Sequence, residues 1–210
     1  MYKRQNRLTI SADGAGQCDV PKGGDSSLNS SVWGSEVIGE DCGDHAANWI
    51  SNFLGRQCRI IYMPSTYERL VDTDYARSNE KVGFADGFPL LIATQSSLAD
   101  FNQHIEFNIE MNRFRPNIVI SGNQAWAEDN WQALEINGIE LLLPKPCSRC
   151  IMPSVNPNTG EKQMEVNAAL LAHRLGSGRQ TYFGQNAVYN QLGQINVGDA
   201  VKVSRSDLIG

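Results

Sequence analysis

The sequence predicts an α+β fold built on a barrel-like, mainly antiparallel β-sheet with peripheral helices. Three observations carry this. Short apolar runs of strand length outnumber the stretches with helical periodicity. Many of the connections between them are short, which suits antiparallel neighbours. Asn137-Gly138 separates Leu134-Glu135-Ile136 from Ile139-Glu140-Leu141, and this dipeptide readily takes the two positive φ angles of a type I′ hairpin turn.

Residues 11–31 are rich in Gly, Ser and Asp and poor in apolar side chains, so 1–31 reads as a flexible lead-in. Order is expected to begin near Val32, with residues 32–210 forming one domain. Residues 32–37 suit a short strand. Asp44 is placed as the N-cap of a helix with Ala47, Ile50, Phe53 and Leu54 on its apolar face and Gly55 at C′. Residues 59–63 form a buried strand stopped by Pro64, and 64–83 a long polar loop. Residues 89–93 are a second buried strand. Ser97-Leu98-Ala99-Asp100 has the form of a capping box, and Leu98, Phe101 and Ile105 continue a helical face. Residues 117–120 are a strand, and 164–174 a short helix. Strands at 182–189 and 200–203 complete the sheet, with a turn at Val197-Gly198-Asp199. No internal repeat or linker stands out within 32–210.

The composition is that of a globular domain, with 41% hydrophobic and 20% charged residues, and 210 residues can bury a core without disulfides. The net charge of −5 gives no global attraction to nucleic acid or an anionic membrane, so an anionic ligand needs a local Arg or Lys cluster. No apolar run of transmembrane length occurs, and the basic N-terminus is not followed by the apolar core of a signal peptide. Five cysteines at irregular spacing argue for reduced thiols and a cytoplasmic setting.

Three segments could carry chemistry. In Pro146-Cys147-Ser148-Arg149-Cys150, two thiols sit in a loop beside Arg149 and near Lys145, and positive neighbours favour the thiolate. Metal ligand, redox pair and nucleophile are all open readings, as are two small buried hydrophobes three residues apart. Structural zinc is disfavoured, because no second Cys or His pair has matching spacing. In Asn112-Arg113-Phe114-Arg115-Pro116-Asn117, two arginines flank an aromatic and could grip a phosphate or a planar heterocycle, or simply decorate a solvated loop. In Gly83-Phe84-Ala85-Asp86-Gly87-Phe88-Pro89, glycines allow close backbone approach and Asp86 can accept hydrogen bonds, although a plain turn into a strand explains the same residues. His45, His104 and His173 are far apart in the chain and read as surface or satisfied structural residues. Trp33, Trp49, Trp126 and Trp131 read as core or rim packing.

Taken in order, Phe84–Leu91, Ser97-Leu98-Ala99-Asp100-Phe101-Asn102, Arg113-Phe114-Arg115-Pro116-Asn117-Ile118-Val119-Ile120-Ser121-Gly122, and Cys147-Ser148-Arg149-Cys150-Ile151-Met152 with Val155-Asn156-Pro157-Asn158-Thr159-Gly160 resemble the successive blocks of the MOSC domain family. The resemblance is to the branch holding amidoxime-reducing components and bacterial iron-sulfur-linked relatives, and it covers residues 32–203. It implies a MOSC β-barrel with peripheral helices that binds molybdenum cofactor. Cys150 would be the thiolate on the metal and the catalytic residue, and Cys147 would not be a ligand. Asp86, Arg115 and Asn117 match cofactor-contacting positions. Gly87 and Phe88 stand where relatives carry hydroxyl residues, which leaves backbone contacts there. Arg113 and Arg149 join the cofactor-binding set on charge grounds. The family is also associated with pyridoxal phosphate binding.

The implied chemistry is two-electron reduction of small N-hydroxylated compounds of the amidoxime or hydroxylamine type. No Cys-x4-Cys-x2-Cys ferredoxin module is present, so electrons are expected from an external donor such as a ferredoxin, a flavodoxin or a cytochrome b5-like protein. Full-length relatives carry a further N-terminal barrel-like segment that helps to hold the cofactor phosphate, and the lead-in is read as its remnant. A non-catalytic carrier of the cofactor or of sulfur is the alternative. A thiol redox protein using both cysteines is a weaker one, since disulfide exchange does not require the Arg-Phe-Arg-Pro-Asn block.

Overall fold

The computed structural model describes residues 7–72, 74–75 and 80–206. The chain forms two compact units, Met1–Arg69 with Lys81–Asp86, and Leu70–Glu80 with Gly87–Gly210.

The first unit begins with a hairpin of β1 (Arg7–Ala12) and β2 (Gly16–Pro21). A three-stranded antiparallel sheet of β3 (Ser27–Val32), β4 (Ser35–Asp41) and β5 (Ile61–Tyr62) follows, with α1 (Asp44–Leu54) between β4 and β5. The Gly/Ser/Asp-rich stretch is therefore stranded, not a loop. Its apolar content is low because the strands bury little: in β2 only Cys18 and Val20 turn inward, onto Cys42 and Ala46. The single strand expected at 32–37 is instead the turn of the β3–β4 hairpin, where Trp33 (φ 51°) and Gly34 (φ 83°) both adopt positive φ. Helix α1 is preceded by Gly43, whose N–H donates to Asp41 Oδ1, so Asp44 is the first helical residue rather than the cap. Gly55 closes the helix in the left-handed conformation (φ 66°), as expected. Arg59 reaches Asp41 (Nε–Oδ2 2.8 Å) and Asp44 (Nη2–Oδ1 2.9 Å). Its hydrogen bond holds the Asp41 carboxyl below the usual range.

The second unit contains β6 (Leu90–Thr94), α2 (Gln95–Phe101), β7 (Ile118–Ile120), β8 (Trp131–Ile136), β9 (Ile139–Arg149), α3 (Met164–His173), β10 (Thr181–Tyr189) and β11 (Val201–Ser206). Its strands form one sheet in the order β11-β8-β9-β10-β6-β7. All pairs are antiparallel except β6–β7, which α2 links as a crossover. The sheet curls as a half-barrel, and β11 and β7 remain as its two edges among the described residues. The barrel-like, mainly antiparallel sheet expected from the sequence is present, curled but only half-closed.

Helix α2 starts at Gln95 because Thr94 Oγ1 accepts the Ser97 N–H at 3.2 Å. The cap is three residues upstream of the expected capping box. Two cores cover the sheet. Phe101, Phe114, Phe183, Val166 and Leu170 pack beneath α2 and α3, while Ile92, Leu134, Ile136, Leu141 and Ala187 pack on the sheet. Gly184 marks a bulge in β10 with φ 75°, and a Cβ there would lie 2.5 Å from the carbonyl oxygen of Ile92.

Candidate functional site

Strand β9 extends through Arg149, so the two thiols lie at a strand end rather than in a loop. The pleat then separates them. Pro146, Ser148 and Cys150 are exposed, whereas Lys145, Cys147 and Arg149 are half-buried. Cys150, the first residue past β9, is the exposed cysteine of the five; Cys18 and Cys42 are buried, and Cys58 and Cys147 half-buried. None of the five is in a disulfide. Local chemistry treats Cys147 and Cys150 alike; alternation along the strand gives them different exposure.

The 113–117 segment meets this strand end through Arg149. Its Nη2 donates to the carbonyl of Phe114 at 2.9 Å, and its Nη1 to Cys147 Sγ at 3.2 Å. Cys150 and Arg115 each follow a residue of the Arg149–Phe114 bond. Arg115 is exposed and has φ 54°, a left-handed conformation uncommon outside glycine. Phe114 is fully buried and stacks on Phe183 with ring centres 3.6 Å apart. Arg113 is buried too. It donates from Nη1 to the Pro153 carbonyl at 3.2 Å and from Nη2 to Gln163 Oε1. Asn117 bonds Leu91 twice at 2.8 Å, accepting its N–H at Oδ1 and donating the Asn117 N–H to its carbonyl. This fixes the segment against the start of β6.

The 83–89 segment divides. Asp86 closes the first unit, where it accepts a hydrogen bond from Trp33 Nε1 at 2.8 Å, and Arg69 binds the carbonyls of Gly83, Ala85 and Asp86. Gly87 and Phe88 belong to the second unit. A Cβ at Gly87 would meet nothing within 4 Å. The Phe88 ring lies 5.3 Å from Lys145 Nζ, which sits 3.8 Å from the centre of Tyr75. Of the seven predicted residues in the second unit (Gly87, Phe88, Arg113, Arg115, Asn117, Arg149, Cys150), Arg149 is joined to the 113–117 segment at Phe114, Asn117 ties that segment to Leu91 in β6, and Phe88 lies near Lys145 of β9.

A cleft of about 560 Å³ runs along the exposed end of β9, lined by Lys145, Ser148, Arg174, Gln180 and Tyr182 among others. Ser148 lies two residues from Cys150 on the same exposed face. Arg174 is held to Asp129 at 2.7 Å and lies 3.8 Å from the Trp126 ring. Of this lining, the quoted motifs contained Pro146 and Ser148 but not Arg174, Gln180 or Tyr182, which come from separate elements. The same is true of His104 and His173, which stack with ring centres 3.8 Å apart. Deeper in the unit, Glu128 is fully buried with Thr94 Oγ1 3.1 Å from both carboxyl oxygens. Burial raises its pKa above the usual carboxyl range.

Among the described residues, no group of three or more His, Cys, Asp and Glu could itself hold a metal ion. What the second unit offers is an exposed thiol at Cys150 and an exposed guanidinium at Arg115, on segments joined by the Arg149–Phe114 hydrogen bond. Such a donor set suits a metal that arrives with its own sulfur ligands: the thiol adds one soft ligand, and the guanidinium can engage an anionic or planar part of the group. The residues present therefore fit a molybdenum-pterin group. No helix among the described residues is long and apolar enough to cross a membrane.

Comparison with known proteins identifies the family. Residues 79–202, more than half of the chain, match the model of the MOSC domain. Over 187 aligned residues the chain is 35% identical to the mouse mitochondrial amidoxime-reducing component 1, covering 83% of this chain and 55% of that protein. Over 182 residues it is 37% identical to its human counterpart, covering 81% and 54%. Over 187 residues it is 36% identical to the mitochondrial amidoxime reducing component 2 of Macaca fascicularis, covering 82% and 55%. The chain thus spans about half the length of these relatives.

Proposed function

This chain belongs to the MOSC domain family, and we propose on that basis that it binds molybdenum cofactor through Cys150 and reduces small N-hydroxylated compounds. The observation that carries the reading is the exposed Cys150 thiol at the end of β9, with Arg149 joined to the carbonyl of Phe114 beside Arg115. When bound, the cofactor would supply two-electron redox chemistry, passing two electrons from an external donor to the N–O bond, whose oxygen would leave as water with two protons. The chain's own residues do the rest. Cys150 anchors the group as a thiolate, a soft ligand matched to a sulfur-bound metal. Arg115 presents a rigid fork of donors to an anionic or heterocyclic part of it. Asn117 fixes the backbone next to Arg115 by its double bond to Leu91. Gly87 leaves open space for close approach. The cleft along Ser148 and Tyr182 is of a size to admit a small substrate. Electrons come from an external donor protein of ferredoxin, flavodoxin or cytochrome b5-like type.

The test is turnover. Purified from a host that makes the cofactor, the chain is expected to reduce a simple benzamidoxime to the amidine with a chemical electron donor. Cys150→Ser should abolish that activity, while Cys147→Ser retains it. Equal loss in both variants would favour a redox pair, and bound cofactor without turnover would favour a carrier.

A further inference from the structure

We infer that Arg149 and Arg113 are positioning residues that fasten the Cys150 turn to the 113–117 segment, so that the thiol and Arg115 are held toward one ligand. The inference rests on the reading of Cys150 given above. Both side chains belong by charge to a cofactor grip, yet both guanidinium groups turn inward onto protein acceptors. Arg149 Nη2 takes the Phe114 carbonyl at 2.9 Å and Nη1 takes Cys147 Sγ at 3.2 Å. Its Cζ lies 5.6 Å from the centre of the Phe114 ring, which stacks on Phe183. Its Nε is buried without a hydrogen-bond partner, a cost that the other two bonds must offset. Arg113, only 7% exposed, makes the reciprocal connection to the Pro153 carbonyl and to Gln163.

The two arginines thus cross-link the same two segments in opposite directions. Cys150 lies between the anchor points Arg149 and Pro153. Arg115 directly follows the anchor points Arg113 and Phe114. Its left-handed backbone (φ 54°) persists only where the surroundings over-determine it, and two tethered residues immediately upstream do so. A planar guanidinium with five donors can bond two acceptors at once, whereas an ammonium cannot reproduce that fork. Acting through Cys150 and Arg115 rather than on the ligand, the pair presets the site before any ligand arrives.

The experiment is amide hydrogen exchange on the full chain purified without cofactor. In Arg149→Met, residues 112–117 are expected to exchange about tenfold faster, the effect of releasing one hydrogen-bonded tether, although the substitution lies far away in sequence. The β8–β9 turn and α3 should exchange as in the wild type. Arg113→Met should act in the other direction, on residues 151–154. Arg149→Lys, which keeps one bond to the Phe114 carbonyl, should recover most of the protection at 112–117. Unchanged exchange at 112–117 in Arg149→Met would overturn the inference, and so would a uniform rise across the second unit, the mark of general destabilisation. In chain loaded with cofactor, both Met variants should retain about tenfold less molybdenum than the wild type, the cost of losing preorganisation. A wild type that holds no molybdenum would count against the proposed function alone, because the exchange result decides the tether without it.

Discussion

Phe114→Ala tests how far the site depends on the core beneath it. The Phe114 ring is fully buried, stacks on Phe183 at 3.6 Å and 6°, and meets the edge of Phe101 at 5.8 Å. Removing it deletes the buried ring and leaves a cavity that rigid neighbours fill only in part, which costs about 3–5 kcal/mol. Phe114→Leu keeps most of the volume and loses the ring–ring contacts, so its cost should be smaller, about 1–1.5 kcal/mol. A domain the size of the second unit loses roughly 2–4 °C of Tm per kcal/mol, so the Ala variant should melt roughly 10 °C lower. Urea unfolding of the wild type and both variants gives the free energies directly, and differential scanning calorimetry gives the Tm. A Phe114→Ala cost below about 1 kcal/mol would refute the reasoning, because surface substitutions cost no more than that. Equal costs for Ala and Leu would refute the assignment of the loss to a cavity.

Glu128 supplies a pH-dependent prediction. Burial raises its folded-state pKa above the ordinary value, so the folded form is favoured while the carboxyl is protonated. That contribution is complete below the unfolded pKa and is lost as pH rises through the folded one. Glu128→Gln keeps the shape without the ionisation, so it should gain on the wild type as pH is raised from acid to neutral; urea midpoints across that range check it, and a constant difference would contradict it. Gly184→Ala should destabilise by more than about 2 kcal/mol, since it adds a positive-φ penalty to a Cβ placed against the Ile92 carbonyl at 2.5 Å. Thermal melting measures this, and a near-neutral outcome would mean that the β10 bulge can shift.

Much of the fold was legible where local chemistry and tertiary structure agree. Asn137 (φ 48°) and Gly138 (φ 75°) form the β8–β9 turn that their identity predicts, and Gly55 ends α1 as expected. The first three strands were not legible. β1 to β3 are short and polar, and only scattered residues such as Cys18 and Val20 point inward, so they lack the apolar density by which a strand is read. The Trp33-Gly34 turn was hidden because tryptophan rarely signals positive φ. The half-closed sheet was also beyond the sequence, since closure depends on which edges pair rather than on any local pattern. For the candidate site residues, the motif blocks carried no information on side-chain direction. Charge suggested that Arg113 and Arg149 face a ligand, whereas their hydrogen bonds run to carbonyls and side chains from distant segments. The cleft wall around Arg174 and the His104–His173 stack were likewise assembled by tertiary contacts that no spacing encodes.

The central claim is that Cys150 is the one protein thiolate on a molybdenum-pterin group. Its most direct test is the molybdenum and released pterin content of the wild type, Cys150→Ser and Cys147→Ser, each purified from the same cofactor-producing host. Near-stoichiometric metal and pterin are expected in the wild type and in Cys147→Ser, with molybdenum lost from Cys150→Ser. Full molybdenum retention in Cys150→Ser, or equal loss from both variants, would contradict it.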